Sequence, residues 1–171
     1  YNLKGILKSV GLDHNEKIVH GLKLTRSKIL VDQAIKGFPT IKNVLDIIEH
    51  LKLMDIPMAI VTNSSSDYLF AALESIQFDR KDFITVTGDD VSAPKPDPQG
   101  YLKAVRELGG LSIGGLAFED SVTGVKAAKS AGLDTVGVLS THSKMILDTG
   151  FHMDVHESSK VVAKILSLFG N

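Results

Sequence analysis

The 171-residue sequence predicts an α/β fold built on a parallel sheet, with a smaller all-helical piece ahead of it. From residue 39 onward, short β-branched apolar runs alternate with longer amphipathic segments, the rhythm of strands joined through helices. The first 38 residues have helical spacing and no strand-like run. The chain carries no internal repeat and no low-complexity segment, so the simplest division is a helical unit over 1–38 and an α/β unit over 39–171, with the boundary near 36–40. That length suits one core with a small appendage, since domains cluster at roughly 100 to 150 residues.

In the helical unit, Leu3, Ile6, Leu7 and Val10 share helical spacing and Gly11 suits a C-cap. Segments 17–22 and 27–35 predict two further helices before Gly37 and Pro39 break the pattern. The α/β unit opens with a helix over 41–53 that gathers Val44, Leu45, Ile47, Ile48 and Leu51 on one side. Strands follow at 58–62 (MAIVT), 84–87 (ITVT), 116–118 (LAF) and 135–139 (TVGVL), with helices at 67–76, 98–108 and 122–131 between them and a last one at about 158–169. Right-handed connections gather the loops after the strands' carboxyl ends on one edge, where open α/β sheets bind ligands.

Composition narrows the function. Nineteen basic residues against twenty acidic ones leave a formal charge of -1, without the cationic surplus that non-specific nucleic-acid binding needs. The absence of cysteine excludes disulfides, thiolate catalysis and sulfur-ligated zinc, and agrees with a reducing compartment. No apolar run approaches the ~20 residues of a membrane span, and the start has no signal-peptide shape. A soluble, cytoplasmic protein is the expectation.

Three clusters follow predicted strands. Thr62, Asn63, Ser64, Ser65 and Ser66 lead into a helix whose free N–H groups suit an anion such as phosphate; as a plain alternative, the serines cap that helix. In the run 88–98 (GDDVSAPKPDP), Lys95 stands between prolines in a rigid turn, where a fixed ammonium can neutralise a phosphoryl group and a carboxylate together. The alternative is an ordinary proline-rich loop, with Pro98 opening a helix. Glu119 and Asp120 close the third strand, and paired acids there suit a hard cation such as magnesium. Otherwise Asp120 or Ser121 caps the next helix and Glu119 is solvated. The six histidines, His14, His20, His50, His142, His152 and His156, show no metal-ligand spacing, and Asp89 and Asp90 either order the lysine loop or are exposed turn residues. Gly109-Gly110 and Gly114-Gly115 precede a strand and fit neither a dinucleotide nor a P-loop fingerprint.

Taken together, VTNSS at 61–65, PKPDPQGY at 94–101 and FEDSVTGVKAAKSAG at 118–132 resemble motifs two, three and four of the haloacid dehalogenase superfamily, in order and in spacing. The third is similar to the β-phosphoglucomutase-like branch with a helical cap, and residues 1–38 resemble the later part of such a cap. The resemblance implies a Rossmann-like parallel sheet with helices on both faces. It implies a magnesium-dependent phosphatase acting on a small phosphorylated metabolite, a sugar phosphate or similar, through an aspartyl-phosphate. By the same resemblance Thr62 binds the transferring phosphoryl group through its hydroxyl, with Asn63 assisting through its backbone N–H and Ser64 beside it. Lys95 binds phosphate and nucleophile, and Glu119 and Asp120 sit at the Mg2+ site. A phosphosugar mutase is the close alternative. Family members open on a strand ending in Asp-x-Asp, and no Asp-x-Asp occurs in this sequence. The expectation is that the first strand and the start of the cap lie outside it; a chain natively starting at Tyr1 would instead be a non-catalytic phosphate-binding relative.

Overall fold

The computed structural model describes residues 3–37, 40, 42–110, 114–139 and 151–154. Helices α1 (Leu3–Ser9) and α2 (Glu16–Lys36) make up the N-terminal part, and α2 packs against α4 (Ser66–Ser75) of the α/β part. Gly11, at φ 72°, terminates α1 as expected, its N–H reaching the Lys8 carbonyl at 3.2 Å.

Where the sequence suggested two helices, residues 16–36 form one. Asn15 caps it by accepting from the Ile18 N–H at 3.0 Å. The polar stretch in the middle does not break it, because Thr25 donates its hydroxyl to the Gly21 carbonyl one turn back, at 3.0 Å, and so stays within the helix. Gly37, at φ 131°, ends it.

The remaining elements alternate: α3 (Lys42–Leu53), β1 (Ala59–Val61), α4, a 3-10 turn (Arg80–Asp82), β2 (Ile84–Val86), α5 (Gln99–Glu107), β3 (Leu116–Glu119), α6 (Val122–Ser130), β4 (Asp134–Leu139) and β5 (Phe151–Asp154). Among the described residues all strand pairings are parallel, β1 with β2 and β3 with β4 with β5, which confirms the predicted fold class. Strand β5 was not anticipated; it is four residues long and is held by its register on β4, Val136 opposite Phe151 through Leu139 opposite Asp154. The helix expected at 158–169 lies outside the described residues, as do His142 and His156.

Alternation along β3 places helices on both faces. Leu116 and Phe118 pack with Ile47 of α3 and Val136 and Val138 of β4. Ala117 points the other way, into a cluster with Tyr101 of α5 and Ala127, Ala128 and Ala131 of α6 and its end. Those alanines leave α6 close against the sheet. Strands β1 and β3 belong to separate sheets, and between them lies an apolar cavity of about 440 Å³ lined by Ile60 and Val61 on one side and Ala117 and Phe118 on the other. Their carboxyl ends open onto the same edge, where the three sequence clusters meet.

Candidate active site

The loop after β1 starts with the Thr62 N–H bonded to the Val86 carbonyl at 2.9 Å, one residue past the strand. It then lies directly on the loop after β2: Gly88 donates to the Ser64 carbonyl at 2.8 Å, and a Cβ at Gly88 would stand 2.6 Å from the Asn63 carbonyl oxygen. Only glycine permits that approach. The Thr62 hydroxyl accepts from the Ser64 N–H at 3.1 Å, which folds the loop back on itself.

The serines do not cap α4 as one sequence reading had it. Ser65 occupies the N-cap position with no side-chain bond to the helix, and the Ser66 N–H goes to Asp89 Oδ2 at 2.8 Å, with the Ser66 hydroxyl on the same oxygen at 2.9 Å. One donor of the helix start is therefore committed to a carboxylate from the neighbouring loop. Ser27 of α2 meets the same place, its hydroxyl 3.4 Å from that of Ser65.

Asp90 closes the turn after β2 by accepting from both the backbone N–H and the hydroxyl of Thr87, at 2.9 and 2.7 Å. The Thr87 backbone bond and then its hydroxyl hold the Asp90 carboxyl below its ordinary 3.8. A depressed carboxyl contributes stability that is complete above the unfolded value and is lost as pH falls through the folded one. Asp90→Asn is thus expected to be less stable than the parent near neutral pH, with the difference shrinking as pH falls below 3.8, as urea unfolding at several pH values would read.

Lys95 is fixed at both ends. Its backbone N–H donates to Asn63 Oδ1 at 2.9 Å, and its loop is gathered by Gln99 Oε1, which accepts from Ser92 N, Ala93 N and Ser92 Oγ at 2.9, 2.9 and 3.1 Å. Its ammonium donates to the Val61 carbonyl at 2.9 Å and to Glu119 Oε1, and lies 4.9 Å from the centre of the Tyr101 ring. The Tyr101 hydroxyl donates to that same Oε1. The Lys95 and Glu119 side chains are 13% and 7% exposed, so this pair is screened little by solvent. Burial first, then the Glu119 charge, pushes the Tyr101 hydroxyl far above its usual range and keeps it a donor.

Glu119 is buried because it continues the alternation of β3 on the side of Ala117; Asp120, past the strand, is exposed. Ser121 caps α6, accepting from the Gly124 N–H at 3.0 Å, and its hydroxyl is 3.3 Å from Glu119 Oε2. The structure thus brings Thr62, Asn63, Ser64, Lys95, Glu119 and Asp120 to one edge. Asn63 was expected to act through its backbone N–H; its side chain does something else, pinning the Lys95 backbone. Gln99 and Tyr101 were given no role by sequence reasoning, and Asp89, expected either to order the lysine loop or to be an exposed turn residue, instead binds the start of α4. Of these, Tyr101 alone carried a signal: an aromatic at the start of a helix that packs on a sheet must find a partner for its hydroxyl.

The oxygen donors of Glu119 and Asp120 have the hardness magnesium prefers, though Glu119 Oε1 already accepts from two donors. Among the described residues, no group of three or more His, Asp or Glu side chains is placed to hold a metal ion. Of the two acids, Asp120 is the more accessible.

Residues 2–138 match the family described as haloacid dehalogenase-like hydrolase. The chain belongs to that family. It is 35% identical over 103 residues to validoxylamine A 7'-phosphate phosphatase of Streptomyces hygroscopicus, a match covering 60% of this chain and 48% of that protein. To the phosphorylated carbohydrates phosphatase of Thermotoga maritima it is 30% identical over 142 residues, covering 81% of this chain and 62% of the relative. The chain thus spans about half to three-fifths of the length of these two relatives. The crystal structure of CbbY from Rhodobacter sphaeroides in complex with phosphate superimposes with a TM-score of 0.72 at 25% identity, over 83% of this chain and 66% of that one. Among the described residues, no helix of this haloacid dehalogenase-like protein is long and apolar enough to cross a membrane.

Proposed function

We propose that this haloacid dehalogenase-like chain provides the phosphate-binding edge of a magnesium-dependent phosphatase for small phosphomonoesters, sugar phosphates or similar metabolites. The observation that carries the reading is Lys95: its ammonium has three N–H donors, two of which are engaged by the Val61 carbonyl and Glu119, at the ends of β1 and β3. The third remains for a phosphoryl oxygen. The Thr62 hydroxyl, the Asn63 backbone N–H and Ser64 form the other wall for that group, and the names of the two phosphatase relatives agree with it.

The attacking group in this reading is an aspartate on an extended segment seated between β1 and β3, where the cavity has apolar walls and a strand edge on either side. Its carboxylate oxygen bonds to phosphorus as the bond from phosphorus to the ester oxygen breaks, the second aspartate of the Asp-x-Asp giving that oxygen a proton; the same aspartate then takes a proton from the water that attacks phosphorus, which frees the first aspartate and releases inorganic phosphate. Magnesium, held by Asp120 with Glu119 nearby, would offset charge on the phosphoryl oxygens. Lys95 binds and orients the phosphoryl group, and its burial keeps that charge effective.

A screen of phosphomonoesters with the intact protein and Mg2+ tests this, with released inorganic phosphate as the readout. Asp120→Asn is expected to raise the magnesium concentration needed for half-maximal rate by at least about tenfold. Binding of phosphate without any turnover would replace the reading with a non-catalytic phosphate-binding protein. An isomeric sugar phosphate in place of free phosphate would indicate a mutase.

A further inference from the structure

Tyr101 has two relations to the Lys95–Glu119 pair. Its hydroxyl donates to Glu119 Oε1, the oxygen that also takes the lysine, and its ring face lies 4.9 Å from the ammonium. A phenol that donates to a carboxylate spreads its charge and fixes its rotamer, and the aromatic face attracts the cation through its quadrupole. Tyr101 is itself held: it is 8% exposed, in the cluster of Ala117, Ala127, Ala128 and Ala131, on the first turn of a helix that packs on β1 and β2. At the preceding position, a Cβ on Gly100 would come within 3.0 Å of Val61 Cγ1, so α5 sits close on β1, whose last carbonyl receives the lysine.

We propose that Tyr101 is the positioning residue for Lys95. By holding Glu119 Oε1 and lying beside the ammonium, it confines the lysine to one rotamer with one donor left over. In consequence Glu119 serves chiefly as the counter-charge of Lys95, and Asp120 is the acid that meets the metal. This rests on the phosphate-binding role assigned to Lys95 above.

The test compares Tyr101→Phe, which keeps the ring and removes the hydroxyl, with Tyr101→Leu, which removes both. Inorganic phosphate is the probe, its affinity measured by titration calorimetry on the intact protein with Mg2+ present. Thermal unfolding is followed in parallel. Tyr101→Phe is expected to weaken phosphate binding by about tenfold, the size of one lost hydrogen bond to a charged group, with a smaller loss of Tm than Tyr101→Leu, because the ring stays packed. Tyr101→Leu should weaken it further, and the Mg2+ requirement of Tyr101→Phe should match the parent, because Asp120 is untouched. If Tyr101→Phe binds phosphate as the parent does, and Tyr101→Leu loses only Tm, the tyrosine is packing alone and the positioning role is overturned while the phosphate site stands. A parent protein that does not bind phosphate overturns the reading of the site, and the role of Tyr101 with it.

Discussion

If the proposed phosphatase reading holds, Lys95→Met is expected to lower kcat/KM on any phosphomonoester the protein accepts by about 100- to 1,000-fold, the range seen when one fixed electrostatic partner of a reacting oxygen is removed. The same change should lower stability, for a reason independent of substrate. Glu119 is 7% exposed and would be left with the hydroxyls of Tyr101 and Ser121 and no counter-charge. Breaking one side of a buried pair typically costs about 3 to 5 kcal/mol, much of it the penalty of stranding the other charge. Urea unfolding of Lys95→Met, Glu119→Gln and the double variant separates the two effects. In the double variant the stranded charge is gone, so stability should return toward that of the parent while activity stays lost. Retained activity in Lys95→Met would remove the lysine from the site.

Gly124→Ala should be destabilising even though alanine is the better helix former. In an exposed helix interior the exchange gains roughly 1 kcal/mol. Here the new Cβ would stand 1.8 Å from Glu119 Oε2 and 2.1 Å from its carboxyl carbon. A flexible, solvated glutamate would swing aside at little cost. This one accepts from Lys95 and Tyr101 at its other oxygen, so moving it breaks the buried pair and disturbs the α6 cap, where the Gly124 N–H meets Ser121 Oγ at 3.0 Å. A net loss of about 2 kcal/mol is expected on the scale of overpacking penalties, with a parallel fall in phosphate affinity. Gly124→Ala variants should therefore resemble Tyr101→Phe in binding while differing from it in stability. A gain in stability would mean that Glu119 has room to step away from Lys95.

The sequence by itself determined the class of fold and the sheet edge on which the candidate site lies. Strands and helices between residues 42 and 139 could be read because a β-branched run of three to six residues and an amphipathic run of ten leave local periodic signals. The right-handed connection rule then put the loops after β1, β2 and β3 on one edge, and the family motifs fell on those loops. Where local signals were weak the reading slipped: α2 was divided at its polar middle, and β5, four residues fixed by pairing with β4, was missed.

What the side chains do at that edge was decided by tertiary contact. Asn63 meets Lys95 across 32 positions of sequence, Lys95 meets Glu119 across 24, and Tyr101 meets Glu119 across 18. Asp89 takes the cap of α4 from 23 positions away. No periodicity encodes such pairs, because each depends on how far two loops lean together at the sheet edge. Glu119 is the clearest case. As the last residue of a strand it could be solvated, bound to a metal or buried, and its place on the Ala117 side of β3, above an α6 brought close by small residues, put it between a lysine and a tyrosine.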